Sequence, residues 1–523
     1  MINIIFASLF TVICLGVFGY GIYRTVKIIK NPMPGTIDYK KEIIKLSYLL
    51  LASSVASLVA FIFTSYAGSW SISVGEWFEM VFGSLLFAGS FEIFVYSFML
   101  HYYGKEEPLK LKKWLFRIVI ISVFTFLIGF ILLTNSFADD LAYPLVNAIS
   151  FTAGPLTPAS HNPGGLTITF YALFILSGAI IVYFLCDHRF YQEYGKHGIL
   201  ESLFFVAFPA GIIGARIGYV IGNWNGDVSS GVESFASRVA RGEWWAPLAI
   251  WEGGLTIISG ALVGVIVGVL WFLWRKKEYS IWLAIDVIIP AVLIAQAIGR
   301  IGNFFNCEVY GNTVDIQTLS WLPKIIVNNM QFTPSGNPAP AGMMFVPLFL
   351  LEAITNIGGY FIIRYCFGEG MKKYLEMGDL AALYFVWYGY TRVIMEPLRD
   401  QTFNMGTKGY WSWFWAFFFV LGGALAIASN HIGKYIYRRK KGTWIALNNG
   451  FSKGLVASIV ICVIGITLVI LGSIFMAQGE YQEILAFNKY NNGLIILISG
   501  LSALLMLSVS IPHIIEGLRK REN

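Results

Sequence analysis

Four short clusters of polar residues interrupt otherwise apolar stretches of this chain, and three of them carry an arginine. The first is Gly214-Ala215-Arg216-Ile217-Gly218-Tyr219. The second, Trp251-Glu252-Gly253-Gly254, leads a Gly/Ser-rich stretch containing Ser259, Gly260, Gly264 and Gly268. The third is Gly299-Arg300-Ile301-Gly302-Asn303-Phe304-Phe305-Asn306-Cys307-Glu308-Val309-Tyr310-Gly311, and the fourth runs from Tyr388 through Arg392 to Glu396. Arg392 and Glu396 are spaced i,i+4, so a helix there places them on one face. An unpaired charge in an apolar layer is very costly, so such arginines must be paired or must bind an anion. Glu252, Glu308 and Glu396 could pair with them in a purely structural network. The arginines could equally clamp a phosphate, whose oxygens suit the guanidinium fork. Buried Arg and Glu also mark ion and substrate paths. Residue types alone leave these three readings open.

The elements that carry the clusters follow from composition. Of 523 residues 57% are hydrophobic and only 13% are charged, about half the charge of a soluble domain. That excludes a water-soluble enzyme, whose surface needs more charge to stay dispersed. The net charge of +7 comes from short basic clusters between apolar runs, which read as topology anchors and not as a nucleic-acid surface. Cys14, Cys186, Cys307, Cys366 and Cys462 are far apart, giving neither a disulfide framework nor a metal cluster, so no metal or cofactor is expected. No Lys or Arg precedes Arg24, the reverse of a signal peptide, and the first apolar run reads as an uncleaved span.

Runs of about 20 mostly apolar residues can cross a bilayer. Thirteen qualify, at approximately 2–22, 45–66, 78–100, 115–134, 166–186, 200–222, 248–273, 281–298, 341–363, 377–394, 410–429, 453–475 and 492–514. The expected fold is therefore an all-α polytopic membrane protein of about 13 transmembrane helices. With the N-terminus outside and the C-terminus cytoplasmic, 28 of the 37 Lys and Arg residues fall in cytoplasmic segments, a strong positive-inside bias. Residues 1–135 form a four-span region with one intramembrane carboxylate, Glu92, and residues 136–164 a neutral outer linker. Residues 165–430 hold seven spans and an outward segment, 299–340, and residues 431–523 supply a basic linker and two more spans. Neither flanking region carries a catalytic constellation.

The third cluster, Gly299-Arg300-Ile301-Gly302-Asn303-Phe304, then Asn306-x-Glu308-x-x-Gly311, resembles the signature of the prolipoprotein diacylglyceryl transferases. Other segments resemble that family in its order: Phe170-Tyr171-Ala172-Leu173, Gly214-Ala215-Arg216, Trp251-Glu252-Gly253-Gly254-Leu255, Pro347 to Glu352, and Gly389-Tyr390-Thr391-Arg392 to Glu396 with Arg399 following. The resemblance covers roughly residues 165–430. It implies a seven-span enzyme of the bacterial plasma membrane, with its active site toward the outer face, where exported substrates arrive. The implied reaction moves a diacylglyceryl group from phosphatidylglycerol to the lipobox cysteine in the signal peptide of a prolipoprotein, forming a thioether and releasing glycerol phosphate. The implied partners are phosphatidylglycerol, the prolipoprotein signal peptide and membrane lipids, with no nucleic acid.

On this resemblance Arg300, Arg392 and Glu308 are the expected catalytic residues. Tyr171, Arg216, Asn303, Gly311 and Glu396 are expected to bind or orient substrate. Arg300 and Arg392 would hold the headgroup phosphate, Arg216 would assist, and Glu396 would position Arg392. Two residues depart from the family pattern: Ile258 stands where a His or Tyr is usual, and Ser259 replaces the first glycine of the following pair. A proton transfer through that histidine therefore does not carry over. Cys307 occupies a variable slot of the signature and His161 lies outside the fifth span, so neither is expected to act. The alternatives are a transporter or lipid flippase, against which no second copy of the Gly299–Gly311 pattern is found, and a non-catalytic relative of the transferases.

Overall fold

Thr169 ends a strand and starts a helix: its side-chain oxygen accepts from Ala172 N and caps α1 (Phe170–Tyr194). In this computed structural model the described residues are 128, 143–145, 148–151, 166–196, 198–226, 234–249, 254, 256–400, 403, 409–443, 451–480 and 488–515. Apart from Ile128, the first four expected spans, together with Glu92, His161 and Trp251-Glu252-Gly253, lie outside them. Helices α2 (Glu201–Gly222), α3 (Phe235–Ala240), α4 (Ile257–Trp274), α5 (Ile281–Phe305) and α6 (Lys324–Asn329) follow. Next come α7 (Leu348–Phe361), which continues into a π-helical segment (Ile362–Gly370), and α8 (Asp379–Met395). The chain finishes with α9 (Tyr410–Lys440), α10 (Phe451–Ala477) and α11 (Lys489–Met506).

Each of the nine spans expected beyond residue 165 contains a helix, but 166–169 is a strand and the helices of 248–273 and 341–363 begin only at Ile257 and Leu348. Among the described residues six helices are both long and apolar enough to cross a membrane: α1, α2, α5, α9, the 458–477 part of α10, and α11 with its 3-10 extension to Val509. Helices α4, α7 and α8 are shorter. Helix α5 runs to Phe305, beyond the expected end at 298, so Arg300 and Asn303 stand on the helix itself. Helix α9 is continuous through residue 430, where a boundary was expected. Its 31 residues span about 46 Å, more than the hydrocarbon thickness, and carry Arg438, Arg439 and Lys440 in the last turn.

The fold is not purely helical. Strand β1 (Ala148–Phe151), inside the expected linker, pairs antiparallel with β2 (Leu166–Thr169), with Ala148 opposite Thr169. Leu166-Thr167-Ile168-Thr169 is rich in β-branched residues, which favour that extended conformation. Strands β3 (Thr313–Asp315) and β4 (Met343–Phe345) make a second two-stranded sheet.

The chain divides into two units. One comprises Met1–Leu145, Val314–Phe332 and Pro338–Met344. Its described part includes a 3-10 turn capped by Asp315 on Gln317 N at 2.8 Å, and α6 with Ile326, Val327 and Met330 buried. The other comprises Val146–Thr313, Thr333–Asn337 and Phe345–Asn523 and contains every residue of the site described below.

In this second unit glycines bring helices together. A Cβ on Gly302 would meet Tyr171 Cα at 3.0 Å, so α5 and α1 nearly touch backbones. A Cβ on Gly389 would meet Ala416 O at 2.7 Å, seating α8 against α9. Phe190, Leu293, Ile363, Trp271 and Tyr384 pack into a core shared by α1, α5, the π segment, α4 and α8. The N-terminus of α8 is fixed by Asp286, which accepts from Gly378 N at 2.7 Å and Ala381 N at 3.0 Å. Asp379 meets His431 at 2.6 Å, and Arg438 grips Glu376 through two bonds of 2.6 and 2.9 Å. Tyr390 and Ser502 hydroxyls lie 2.7 Å apart, tying α8 to α11.

Candidate active site

Glu352 is the point where the site closes. It is the sole acidic residue of the apolar run 341–363 and sits in α7 with its side chain 6% exposed. Its Oε2 pairs with Arg300 Nε of α5. Its Oε1 accepts from Arg399 Nη2 at 3.0 Å and lies 3.4 Å from Arg392 Nη1 of α8. Arg392 also pairs through Nη2 with Glu396, as the i,i+4 spacing predicts. Three guanidinium groups thus face two buried carboxylates. The Arg300 and Arg392 side chains both retain some exposure, 22% and 17%.

Asn303 links this cluster to the signature's acidic residue. It accepts from Arg300 Nη1 at 3.0 Å and donates to Glu308 Oε1 at 3.0 Å, one helical turn along the same face. Asn306 donates to the same oxygen at 3.1 Å. Glu308 is therefore held by two amides and reaches Arg300 only through Asn303. The turn that carries it is strained: Cys307 and Val309 both have positive φ, 51° and 57°. For a β-branched residue this conformation is a clear outlier, of the kind that persists where surrounding contacts over-determine the backbone. Those contacts are visible. Gly311 N donates to Val346 O at 2.9 Å, Asn312 N to Leu398 O at 3.0 Å, and Asp400 N to Tyr310 O at 3.2 Å.

Of the residues named from the sequence, Tyr171, Arg300, Asn303, Glu308, Arg392 and Glu396 lie together. Tyr171 reaches the group by packing on Gly302. Gly311 has a different part. A Cβ there would meet Leu398 O at 2.6 Å and Val346 Cβ at 2.8 Å, so its lack of a side chain lets the 310–312 and 398–400 backbones join. Arg216 is turned to the backbone: it donates to Pro247 O at 3.0 Å, Ala246 O at 2.7 Å and Gly254 O at 3.4 Å, and stacks near Phe235. Its contacts hold the loop that follows α3. Ser259 lies where a Cβ on Gly218 would overlap it, at the α2–α4 contact, while nothing is described of the Ile258 side chain.

Two members of the cluster were missed as site residues, Glu352 and Arg399. The signal for Glu352 was present: a lone carboxylate inside an apolar run is functional by default. Arg399 gives no comparable signal, because it lies beyond the apolar run and enters the cluster only through the pairing of its backbone with Gly311.

The prolipoprotein diacylglyceryl transferase family matches residues 158–471, past α9 and into α10. The chain is similar to the phosphatidylglycerol–prolipoprotein diacylglyceryl transferase of Bifidobacterium adolescentis, with 35% identity over 248 residues, 46% of this chain and 69% of that protein. The enzyme of the same name from Streptococcus suis is 33% identical over 247 residues, 47% of this chain and 82% of that protein. That of Lactococcus lactis subsp. lactis is 33% identical over 279 residues, 53% and 93% of the two chains. With its signature arginines gathered on one buried carboxylate and more than half its length matched, the chain belongs to the prolipoprotein diacylglyceryl transferase family.

Proposed function

We propose that this protein transfers the diacylglyceryl group of phosphatidylglycerol to the lipobox cysteine of a prolipoprotein. The observation that carries the reading is the convergence of Arg300 and Arg392, from separate helices, on Glu352. A purely structural pair would need one arginine per carboxylate. Here three guanidiniums meet Glu352 and Glu396, with Glu308 held off by Asn303. The partly exposed guanidiniums of Arg300 and Arg392 suit the oxygens of a monoanionic phosphodiester.

In the transfer, the cysteine sulfur attacks the glyceryl carbon that bears the phosphate. A C–S bond forms and the C–O bond breaks. Glycerol phosphate departs with the electron pair, and the thiol proton passes to it or to solvent. Arg300 and Arg392 offset the negative charge that grows on the departing phosphate, and the same field lowers the pKa of the incoming thiol. A dedicated base is then unnecessary, which fits Ile258 at the position where a His or Tyr is usual. Glu352 and Glu396 aim the two arginines, Asn303 and Glu308 fix Arg300 from the other side, and Tyr171 borders the space beside Arg300. Arg216 and Gly311 act on the scaffold.

The reaction belongs at the outer face of the bacterial plasma membrane. Lys434 and Arg438 to Lys441 at the far end of α9, and Arg189 at the far end of α1, support this orientation through the positive-inside rule. The test is direct. The purified protein, given phosphatidylglycerol and a lipobox signal peptide in detergent, should add a diacylglyceryl mass to the peptide cysteine through an alkali-stable thioether. Unmodified peptide in the presence of folded protein would count against the reading.

A further inference from the structure

At the end of α1 far from Tyr171, a second pair of arginines faces a single carboxylate. Arg189 lies 18 positions beyond Tyr171, roughly 27 Å along the helix axis and close to the hydrocarbon thickness of a bilayer. Its Nη2 donates to Glu369 at 2.9 Å and its Nη1 to Gln192 at 2.8 Å. Arg364, on the π-helical segment, reaches the same Glu369 oxygen only at 3.8 Å, beyond hydrogen-bonding range. Among the described residues the Nε of Arg364 is buried and has no hydrogen-bond partner. The two arginines are mostly buried, yet the carboxylate between them is 51% exposed.

Local backbone geometry builds this arrangement. In an α-helix, residues five apart point roughly 140° away from each other. The i→i+5 register of a π-helix brings them onto one face, so Glu369 stands above Arg364. Gly368 makes room for the guanidinium: a Cβ there would lie 3.1 Å from Arg364 Nη1. Tyr365 flanks the other arginine, its ring centroid 5.9 Å from Arg189 Cζ. Lys372 and Lys373 follow on the next turn and add positive field. A nine-residue π segment is rare, and such segments concentrate at functional sites.

A buried guanidinium with an unused Nε, beside a second one, and a half-exposed carboxylate too far to satisfy it, is an incomplete ion site. We propose that Arg189 and Arg364 bind a phosphate group at this face of the membrane, with Glu369 as the side chain the phosphate displaces. The ligand chemistry is a phosphate anion, supplied either by the headgroup phosphodiester of an anionic lipid of this leaflet or by free inorganic phosphate. The site stands apart from the transfer reaction and does not depend on it.

Native mass spectrometry of the detergent-solubilised protein, titrated with phosphatidylglycerol in the presence or absence of inorganic phosphate, tests the assignment. The wild type should hold one more tightly bound anion than Arg364→Gln, and Arg189→Gln should weaken the same site by about tenfold or more, the loss of one charge-assisted contact. Glu369→Gln removes the competing carboxylate without emptying the pocket and should tighten binding severalfold, an outcome that misfolding cannot mimic. Displacement of the lipid by inorganic phosphate would identify free phosphate as a ligand, and retention would identify the lipid headgroup. Equal anion number and affinity in the wild type and Arg364→Gln, or unchanged affinity in Glu369→Gln, would overturn the proposal.

Discussion

Arg300 and Arg392 grip opposite oxygens of one carboxylate: the first pairs with Oε2 of Glu352, the second lies 3.4 Å from Oε1. Because α5, α7 and α8 each contribute one partner, the position of each arginine depends on the packing of the other two helices. This makes Glu352 the joint of the site, and its removal the most informative perturbation of the scaffold.

Replacing Glu352 by Ala leaves three guanidiniums around a void, the situation in which breaking a buried ion cluster costs about 3–5 kcal/mol. The expected result is a large drop in melting temperature together with loss of transfer. Glu352→Gln keeps the shape and should fold better while still losing most activity. Thermal unfolding in detergent beside the transfer assay checks both, and full activity in Glu352→Gln would show that its charge does not position the arginines.

Gly302→Ala places a methyl group 3.0 Å from Tyr171 Cα and forces α1 away from α5. Overpacking of this kind costs about 1–3 kcal/mol. Because Tyr171 borders the arginine cluster, turnover should fall more steeply than stability. Comparing melting temperature with rate for Gly302→Ala and for Gly389→Ala, which disturbs α8 against α9, separates local from global effects.

Cys307 is buried, with its backbone in the left-handed region, and serves the turn that carries Glu308. Cys307→Ser should keep turnover within a few-fold of the wild type. Loss of turnover in a folded Cys307→Ser protein would instead make this sulfur a covalent relay.

Orientation can be read by labelling single cysteines in intact cells with an impermeant maleimide, on a background lacking the five native cysteines. Asn312→Cys, beside the arginine cluster, should react from outside. Lys441→Cys, at the far end of α9, should react only after the membrane is opened. The reverse pattern would invert the topology.

What could be read from the sequence divides along a physical line. Contacts inside one helix follow from spacing, and so the Arg392–Glu396 pair and the helical segments beyond residue 165 were legible. Contacts between helices depend on packing angles that no local pattern encodes. Glu352 meets Arg392 and Arg399 across 40 and 47 residues, and neither Glu352 nor Arg399 stood out as a site residue. Gly311 is a fixed position of the signature, and the close approach of Leu398 and Val346 to it depends on packing between distant segments. Arg216, a weaker candidate for the phosphate, donates to three backbone carbonyls, contacts across 30 to 38 residues that spacing does not reveal. The strand at 148–151 was read as linker because its pairing partner, 166–169, lay inside a predicted span.

The central claim is that guanidinium forks hold the headgroup phosphate as it leaves. Lysine keeps the charge and loses the fork, so the decisive measurement is the rate of diacylglyceryl transfer to a lipobox peptide by Arg300→Lys and Arg392→Lys. Each should be slower by ~10²–10³-fold, the typical cost of one lost electrostatic donor, in protein that still folds. Rates within about twofold of the wild type in both variants would contradict the account.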